Sequence, residues 1–246
     1  MKLIYKFLAF FLMATALLTA QNKEITLEDI YGGTFRQERL QSLQSLNNGA
    51  EYVVLNFDRD TRTSIIDVYS YKTGKKTRTL LTSDDLEGIS YFRDFEFSDN
   101  EKKIILGTEM ESIYRHSTRG IFYVYDLENG SLQKITDEKI QEPTLSPNGG
   151  KVAFVLDNNL FIKDLSSEET GQVTTDGEKN IIINGITDWV YEEEFAFVQA
   201  YQWNKSGEKI AFLRLDETEV PEFSMDLYGQ ELYPTQTIFK YHKAGS

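Results

Sequence analysis

Leu145-Ser146-Pro147-Asn148-Gly149-Gly150-Lys151-Val152 opens on an apolar residue, turns through Ser, Asn and Gly, and runs into the apolar strand Val152-Ala153-Phe154-Val155. The same design recurs on both sides of it, as Phe97-Ser98-Asp99-Asn100-Glu101-Lys102-Lys103-Ile104 and as Trp203-Asn204-Lys205-Ser206-Gly207-Glu208-Lys209-Ile210. A weaker copy is Leu46-Asn47-Asn48-Gly49-Ala50-Glu51-Tyr52. The intervals are 51 residues from Asn47 to Ser98, 48 from Ser98 to Ser146 and 58 from Ser146 to Asn204. A second unit lies between the copies: Tyr69-Ser70-Tyr71-Lys72-Thr73-Gly74, Tyr125-Asp126-Leu127-Glu128-Asn129-Gly130 and Lys163-Asp164-Leu165-Ser166-Ser167, each leading into a further strand. The runs between turns are short and β-branched or aromatic, as in Ser64–Tyr69, Ile104–Leu106, Ile121–Tyr125 and Ile210–Leu213, and they predict strands. Some fifty residues and four strands per period is the pattern of β-propeller blades, so the chain is expected to be all-β, with about four blades.

The third interval exceeds the second by ten residues, and the excess falls on Asn184-Gly185-Ile186-Thr187-Asp188-Trp189-Val190-Tyr191-Glu192-Glu193-Glu194-Phe195. Successive side chains of a strand point to opposite faces, so Glu193 and Glu194 cannot share a site on one. On a helical turn they lie about 100° apart and can converge. A short helical insertion at a blade edge is therefore expected. Two converged carboxylates call for an ammonium or guanidinium partner. A solvated acidic turn without a role is the competing reading.

Composition narrows the remaining classes. The chain has 246 residues, no Cys, 40% hydrophobic and 13% aromatic residues, and a net charge of -13. Nucleic acid and anionic membrane surfaces are poor partners for such a chain. Met1 to Ala20 reads as a secretory signal, with Lys2 and Lys6 before the apolar run Phe7 to Leu18, and implies a periplasmic or secreted protein. An uncleaved anchor is the alternative, since Leu18 is larger than the usual residue at that position. Stability in such a compartment has to come from packing rather than crosslinks. Gln21 to Asp29 is a polar lead-in in which Thr26-Leu27-Glu28-Asp29 can cap a helical turn. There is no phosphate loop, no His or Cys cluster for zinc and no calcium loop, so neither a metal nor a cofactor is expected. The sequons at Asn129-Gly130-Ser131 and Asn204-Lys205-Ser206 coincide with turns that account for them.

Asn184 to Glu194 resembles the double-glutamate motif of the dipeptidyl peptidase IV family, serine exopeptidases of the prolyl oligopeptidase clan. Asp216-Glu217-Thr218-Glu219-Val220-Pro221, Tyr233-Pro234 and Tyr241-His242-Lys243-Ala244-Gly245 resemble the segments that follow it, and Tyr114-Arg115-His116-Ser117 matches the family's arginine-bearing segment. The chain departs from the family at Ser45, usually an aromatic, and at Lys205, usually Pro.

The resemblance implies that Glu193 and Glu194 bind the protonated α-amine of a peptide, that Arg115 contacts a substrate carbonyl and steadies the pair, and that Glu192 is a structural neighbour. It also implies an eight-bladed ring, an α/β-hydrolase domain carrying Ser, Asp and His, and dimerisation through later regions. No G-x-S-x-G elbow occurs in this chain, and His116 and His242, its only histidines, have no triad context. No catalytic residue is assigned, and His116 is expected to pack or hydrogen-bond. The expectation is residues 21–246 as the N-terminal, substrate-gating part of a propeller, cut before the hydrolase domain of an enzyme removing X-Pro or X-Ala dipeptides. Two alternatives stay open: a free-standing module binding peptides or glycans, and a pseudo-peptidase scaffold.

Overall fold

A computed structural model describes residues 24–37 and 43–243, so Met1 to Ala20, Ala244 and Gly245 lie outside the described residues. The chain divides into two units, 1–40 and 41–246. In the first, helix α1 (Leu27–Tyr31) is closed by a capping box: the Asp29 N–H donates to Thr26 Oγ1, and the Asp29 carboxylate accepts from the Thr26 N–H. That is the cap its sequence expects.

The second unit is built of antiparallel sheets. β1 (Leu43–Ser45), β2 (Glu51–Asp58), β3 (Thr63–Ser70) and β4 (Lys76–Thr82) form one four-stranded meander. β5 (Asp94–Phe97), β6 (Lys103–Ser112), β7 (Thr118–Asp126) and β8 (Leu132–Lys134) form the second. β9 (Gln141–Leu145), β10 (Lys151–Leu156), β11 (Asn159–Asp164) and β12 (Thr170–Gln172) form the third.

The sheets stack face to face in chain order, and strand alternation shows why. On β6, Ile104 and Leu106 join Val53, Ile66 and Val68 of the first sheet, while Ile105 between them joins Val152 and Phe154 of the third. On β10, Ala153 and Val155 face the other way, toward Ile183, Ile186 and Tyr201. Inner strands buried on both faces read as unbroken apolar runs rather than alternating ones. Each Ile or Leu removed from water in this way contributes about 1.5–3 kcal/mol.

The repeated turns stitch neighbouring sheets along one edge. Within them, Asn48, Asn100, Asn148 and Asn204 each accept main-chain N–H groups through Oδ1, as at Lys102 (3.1 Å), Gly150 (3.0 Å) and Lys209 (3.0 Å). Between them, Asn47 Nδ2 donates to the Asp99 carbonyl at 2.7 Å and Asn100 Nδ2 to the Asn148 carbonyl at 3.2 Å. The second repeated unit is regular too: the N–H groups of Tyr71, Leu127 and Leu165 donate to Ala50, Lys102 and Gly150.

The fourth repeat differs from the four-stranded blade its turn announces. β13 (Ile182–Asn184) pairs with β16 (Arg214–Asp216), β14 (Tyr201–Trp203) pairs with β15 (Ile210–Phe212), and β17 (Glu222–Leu227) pairs with β18 (Thr235–Lys240). The registers show β13 and β14 to be one strand in two pieces. Asn184 faces Arg214 and Tyr201 faces Phe212, while Gly185 and Ala200 both bond to Leu213. Everything between Gly185 and Ala200 is an excursion from the middle of that strand, and it contains helix α2 (Trp189–Phe195). Three four-stranded sheets are thus formed among the described residues, and the fourth unit comprises three two-stranded ladders.

Candidate functional site

The excursion is pinched at its base. The Thr187 N–H donates to the Val198 carbonyl at 3.0 Å, Thr187 Oγ1 donates to the Phe197 carbonyl, and Ile186 bridges to Gln199. Gly185 makes the exit with φ +79, where the backbone favours glycine, and a Cβ there would crowd Val155 Cγ2 at 3.1 Å. Asp188 caps α2, accepting the Tyr191 N–H at 2.8 Å, and Ala196 ends the helix in the left-handed region.

The phase of the helix separates the three glutamates. Trp189 packs on Phe239 and Tyr241, with ring centroids 4.8 and 5.4 Å away. Glu192, one turn on, shares that inward side and is 2% exposed. Its Oε1 accepts the N–H groups of His116 (2.7 Å) and Ser117 (2.8 Å). Those residues belong to the turn between β6 and β7, the two longest strands, which carry it beyond the second sheet toward α2. The turn is closed by the Ile113 N–H donating to the Ser117 carbonyl at 2.9 Å.

The clamp sets Arg115 beside the helix, with its Nε 3.3 Å from Glu193 Oε2. Arg115 is exposed while Glu193 is largely covered, at 70% and 15% of side-chain surface. Glu194 is exposed and makes no ion pair among the described residues. The structure therefore brings Arg115 to Glu193 and leaves Glu194 open next to them. His116 contributes its main-chain N–H and is exposed.

Behind the helix is a cleft of about 470 Å³, lined by Tyr114, Asp188, Trp189, Glu192, Glu217 and Lys240 among others, but not by Arg115, Glu193 or Glu194. Glu217, 6% exposed, is pushed up to about 7 by burial and then by Asp188, against the opposing pull of Lys240. Burial raises the Tyr114 hydroxyl as well, and the carboxylates of Glu217 and Glu192 add to it. Sequence reading missed this inner group and the capping role of Asp188. An Asp directly before Trp-Val-Tyr was a usable N-cap signal. Nothing local marks Glu217 as buried. Among the described residues no group of His, Cys, Asp and Glu has the arrangement to hold a metal ion.

A family model described as the dipeptidyl peptidase IV (DPP IV) N-terminal region matches residues 98–246. The chain belongs to this family. It is similar to the prolyl endopeptidase FAP of Homo sapiens, with 30% identity over 91% of this chain and 29% of that protein. To the probable dipeptidyl-aminopeptidase B of Tuber melanosporum it is 32% identical, over 91% of this chain and 28% of the relative. The crystal structure of Porphyromonas gingivalis dipeptidyl peptidase 4 superposes on 91% of this chain and 32% of that one, with a TM-score of 0.81 and 39% identity. The all-β, sheet-upon-sheet architecture is that of the family's N-terminal propeller, and the chain spans under a third of the length of these relatives. No helix among the described residues is long and apolar enough to cross a membrane.

Proposed function

We propose that this chain is the part of a dipeptidyl peptidase that captures the free N-terminus of a peptide. Glu193 and Glu194 bind the α-ammonium group, and Arg115 holds Glu193 in place while presenting its remaining N–H groups to a substrate carbonyl. The observation that carries this reading is the Arg115–Glu193 contact at 3.3 Å, held by the Glu192 clamp, beside a Glu194 without a cation of its own. One carboxylate of the pair is already balanced, and the second supplies the charge for an incoming ammonium. An α-amine with a pKa of about 7.7–8.0 is largely cationic at neutral pH, and an acetylated one is not.

Holding that ammonium at a fixed distance from a nucleophile counts residues from the peptide's end, which turns binding into dipeptide register. In this reading the Ser, Asp and His come from an α/β-hydrolase domain elsewhere in a secreted or periplasmic enzyme, and the products are X-Pro or X-Ala dipeptides. The names of the relatives support the assignment, as does the match to the double-glutamate motif.

Titration calorimetry with a free-amine dipeptide and its N-acetylated form tests the proposal. The free amine is expected to bind at least about tenfold tighter, and Glu193→Gln or Glu194→Gln to remove most of the difference. Free-amine affinity unchanged in both variants removes the assigned role and favours a general peptide- or glycan-binding module.

A further inference from the structure

The sheet unit contains seven arginines among its described residues, and four of them are paired: Arg78 with Glu51, Arg115 with Glu193, Arg119 with Glu111 and Arg214 with Asp176. The other three, Arg59, Arg62 and Arg93, make no ion pair among the described residues, and all three line one cleft of about 1000 Å³ on the first sheet. In a chain with 39 acidic and 26 basic residues, this cleft is lined by three guanidinium groups and by no carboxylate.

The rest of the lining is the apolar or aromatic Leu55, Phe57, Tyr91 and Phe92 together with Asn56. Phe57 and Tyr91 meet edge to face with centroids 6.3 Å apart, and the Arg93 guanidinium lies 5.6 Å from the centre of the Tyr91 ring. The cleft is also braced. Asp58 at the head of the β2–β3 turn spends its carboxylate on the N–H groups of Asp60 (2.9 Å) and Thr61 (3.3 Å), which keeps it below the usual carboxylate range and holds the turn that carries Arg59 and Arg62. Ser64 Oγ donates to the Phe92 carbonyl at 2.7 Å and accepts the Phe92 N–H at 3.1 Å, tying the Tyr91-Phe92-Arg93 segment to β3.

We propose that this cleft is a docking site for an acidic peptide segment of a partner protein, whose Asp or Glu carboxylates meet Arg59, Arg62 and Arg93 while an apolar side chain lies against Phe57 and Tyr91. Guanidinium groups match carboxylates through paired N–H donors, and the exposed Phe57 ring offers apolar surface beside them. A long polyanion is disfavoured, because a net charge of -13 repels it over the whole surface. A short acidic segment feels mainly the charges within a Debye length of about 8–10 Å, and the lining of the cleft presents it with Arg59, Arg62 and Arg93 and no carboxylate, those of Asp58, Asp60 and Asp94 lying outside the lining. The site is separate from the amine-capturing pair and does not depend on it.

The test is fluorescence anisotropy with a dye-labelled, N-acetylated peptide of alternating Glu and Phe, which offers Glu193 and Glu194 no amine. Saturable binding is expected, weakened at least about tenfold in the Arg59→Ala/Arg62→Ala/Arg93→Ala variant and similarly when salt is raised from about 0.05 to about 0.5 M. The matching triple Lys variant, which keeps the charge and controls for folding, is expected to recover part of the affinity, and Glu193→Gln to bind as the unaltered chain does. Equal binding of a Lys and Phe peptide, or unchanged affinity in the triple Ala variant, overturns the proposal. So does arginine-dependent binding of a single-stranded oligonucleotide tighter than that of the peptide. Self-association of the chain that the triple Ala variant abolishes makes the occupant a second copy and likewise overturns it.

Discussion

Glu217 shows how far burial alone can move a side chain's chemistry. It carries no opposite charge close enough to cancel the loss of water, and Asp188 beside it adds repulsion, so its proton is held up to about 7. The consequence for stability follows from which state holds that proton more tightly. Between the ordinary glutamate value of about 4.3 and about 7 the folded chain keeps the proton and the unfolded chain releases it, so this contribution is greatest below that window and is lost as pH rises through it. The slope is about 1.4 kcal/mol per pH unit for one such group. Glu142, half-buried and raised to about 7 chiefly by burial, acts in the same sense. Denaturant melts across pH 4.5 to 7 should therefore show stability falling with pH, and Glu217→Gln should make the fall shallower by about one proton's worth. An unaltered slope in the variant means that Glu217 is ionised in the folded protein.

At the scale of elements, the coupling between α2 and the β6–β7 turn rests on Glu192. Replacing it with Ala strips the N–H groups of His116 and Ser117 of their acceptor, and of the two residues Ser117 is buried while His116 is exposed. A buried N–H left without a partner costs about 1–3 kcal/mol. Glu192→Ala should lower stability by about 1–3 kcal/mol and also weaken free-amine peptide binding, because Arg115 loses its fixed place beside Glu193. Thermal melts combined with the calorimetric titration check both effects, and retained amine binding in a folded variant uncouples the clamp from the site. The helix itself was legible: three glutamates among aromatics interrupt a strand pattern, and the long third interval places them in an insertion. The division of labour was legible only in outline, with Glu192 read as a structural neighbour through the family likeness. The phase that explains it follows from Trp189, since a residue three positions after an anchored aromatic faces the same way. That the helix leaves the middle of a strand, with Gly185 and Ala200 meeting at Leu213, was not legible, because the pairing joins segments whose spacing no local signal records.

At the scale of the whole molecule, the repeated turns announce the sheets and their order, since each copy precedes a strand that has to be buried on both faces. They do not announce how the fourth repeat closes. The Trp203 to Ile210 turn is as regular as its predecessors, yet the strands around it pair two by two. The difference lies in cover. Ile104, Leu106, Val152 and Phe154 have a sheet against both sides of their strands, whereas β17 and β18 bury only Phe239 and leave most of their other residues exposed. In a stack whose members touch only their neighbours, stability accrues from those shared faces, so opening should begin where a face is missing. Hydrogen exchange should find the amides of β6, β7 and β10 the slowest and those of β17 and β18 the fastest among paired strands, with β13 to β16 between them. Trp189 bridges α2 to Phe239 and Tyr241, so a free-amine peptide bound at Glu193 and Glu194 should slow exchange in β18 as well as in α2. Protection confined to α2 on binding means that the aromatic bridge transmits nothing. Equal protection of β6 and β18 without ligand refutes the gradient itself.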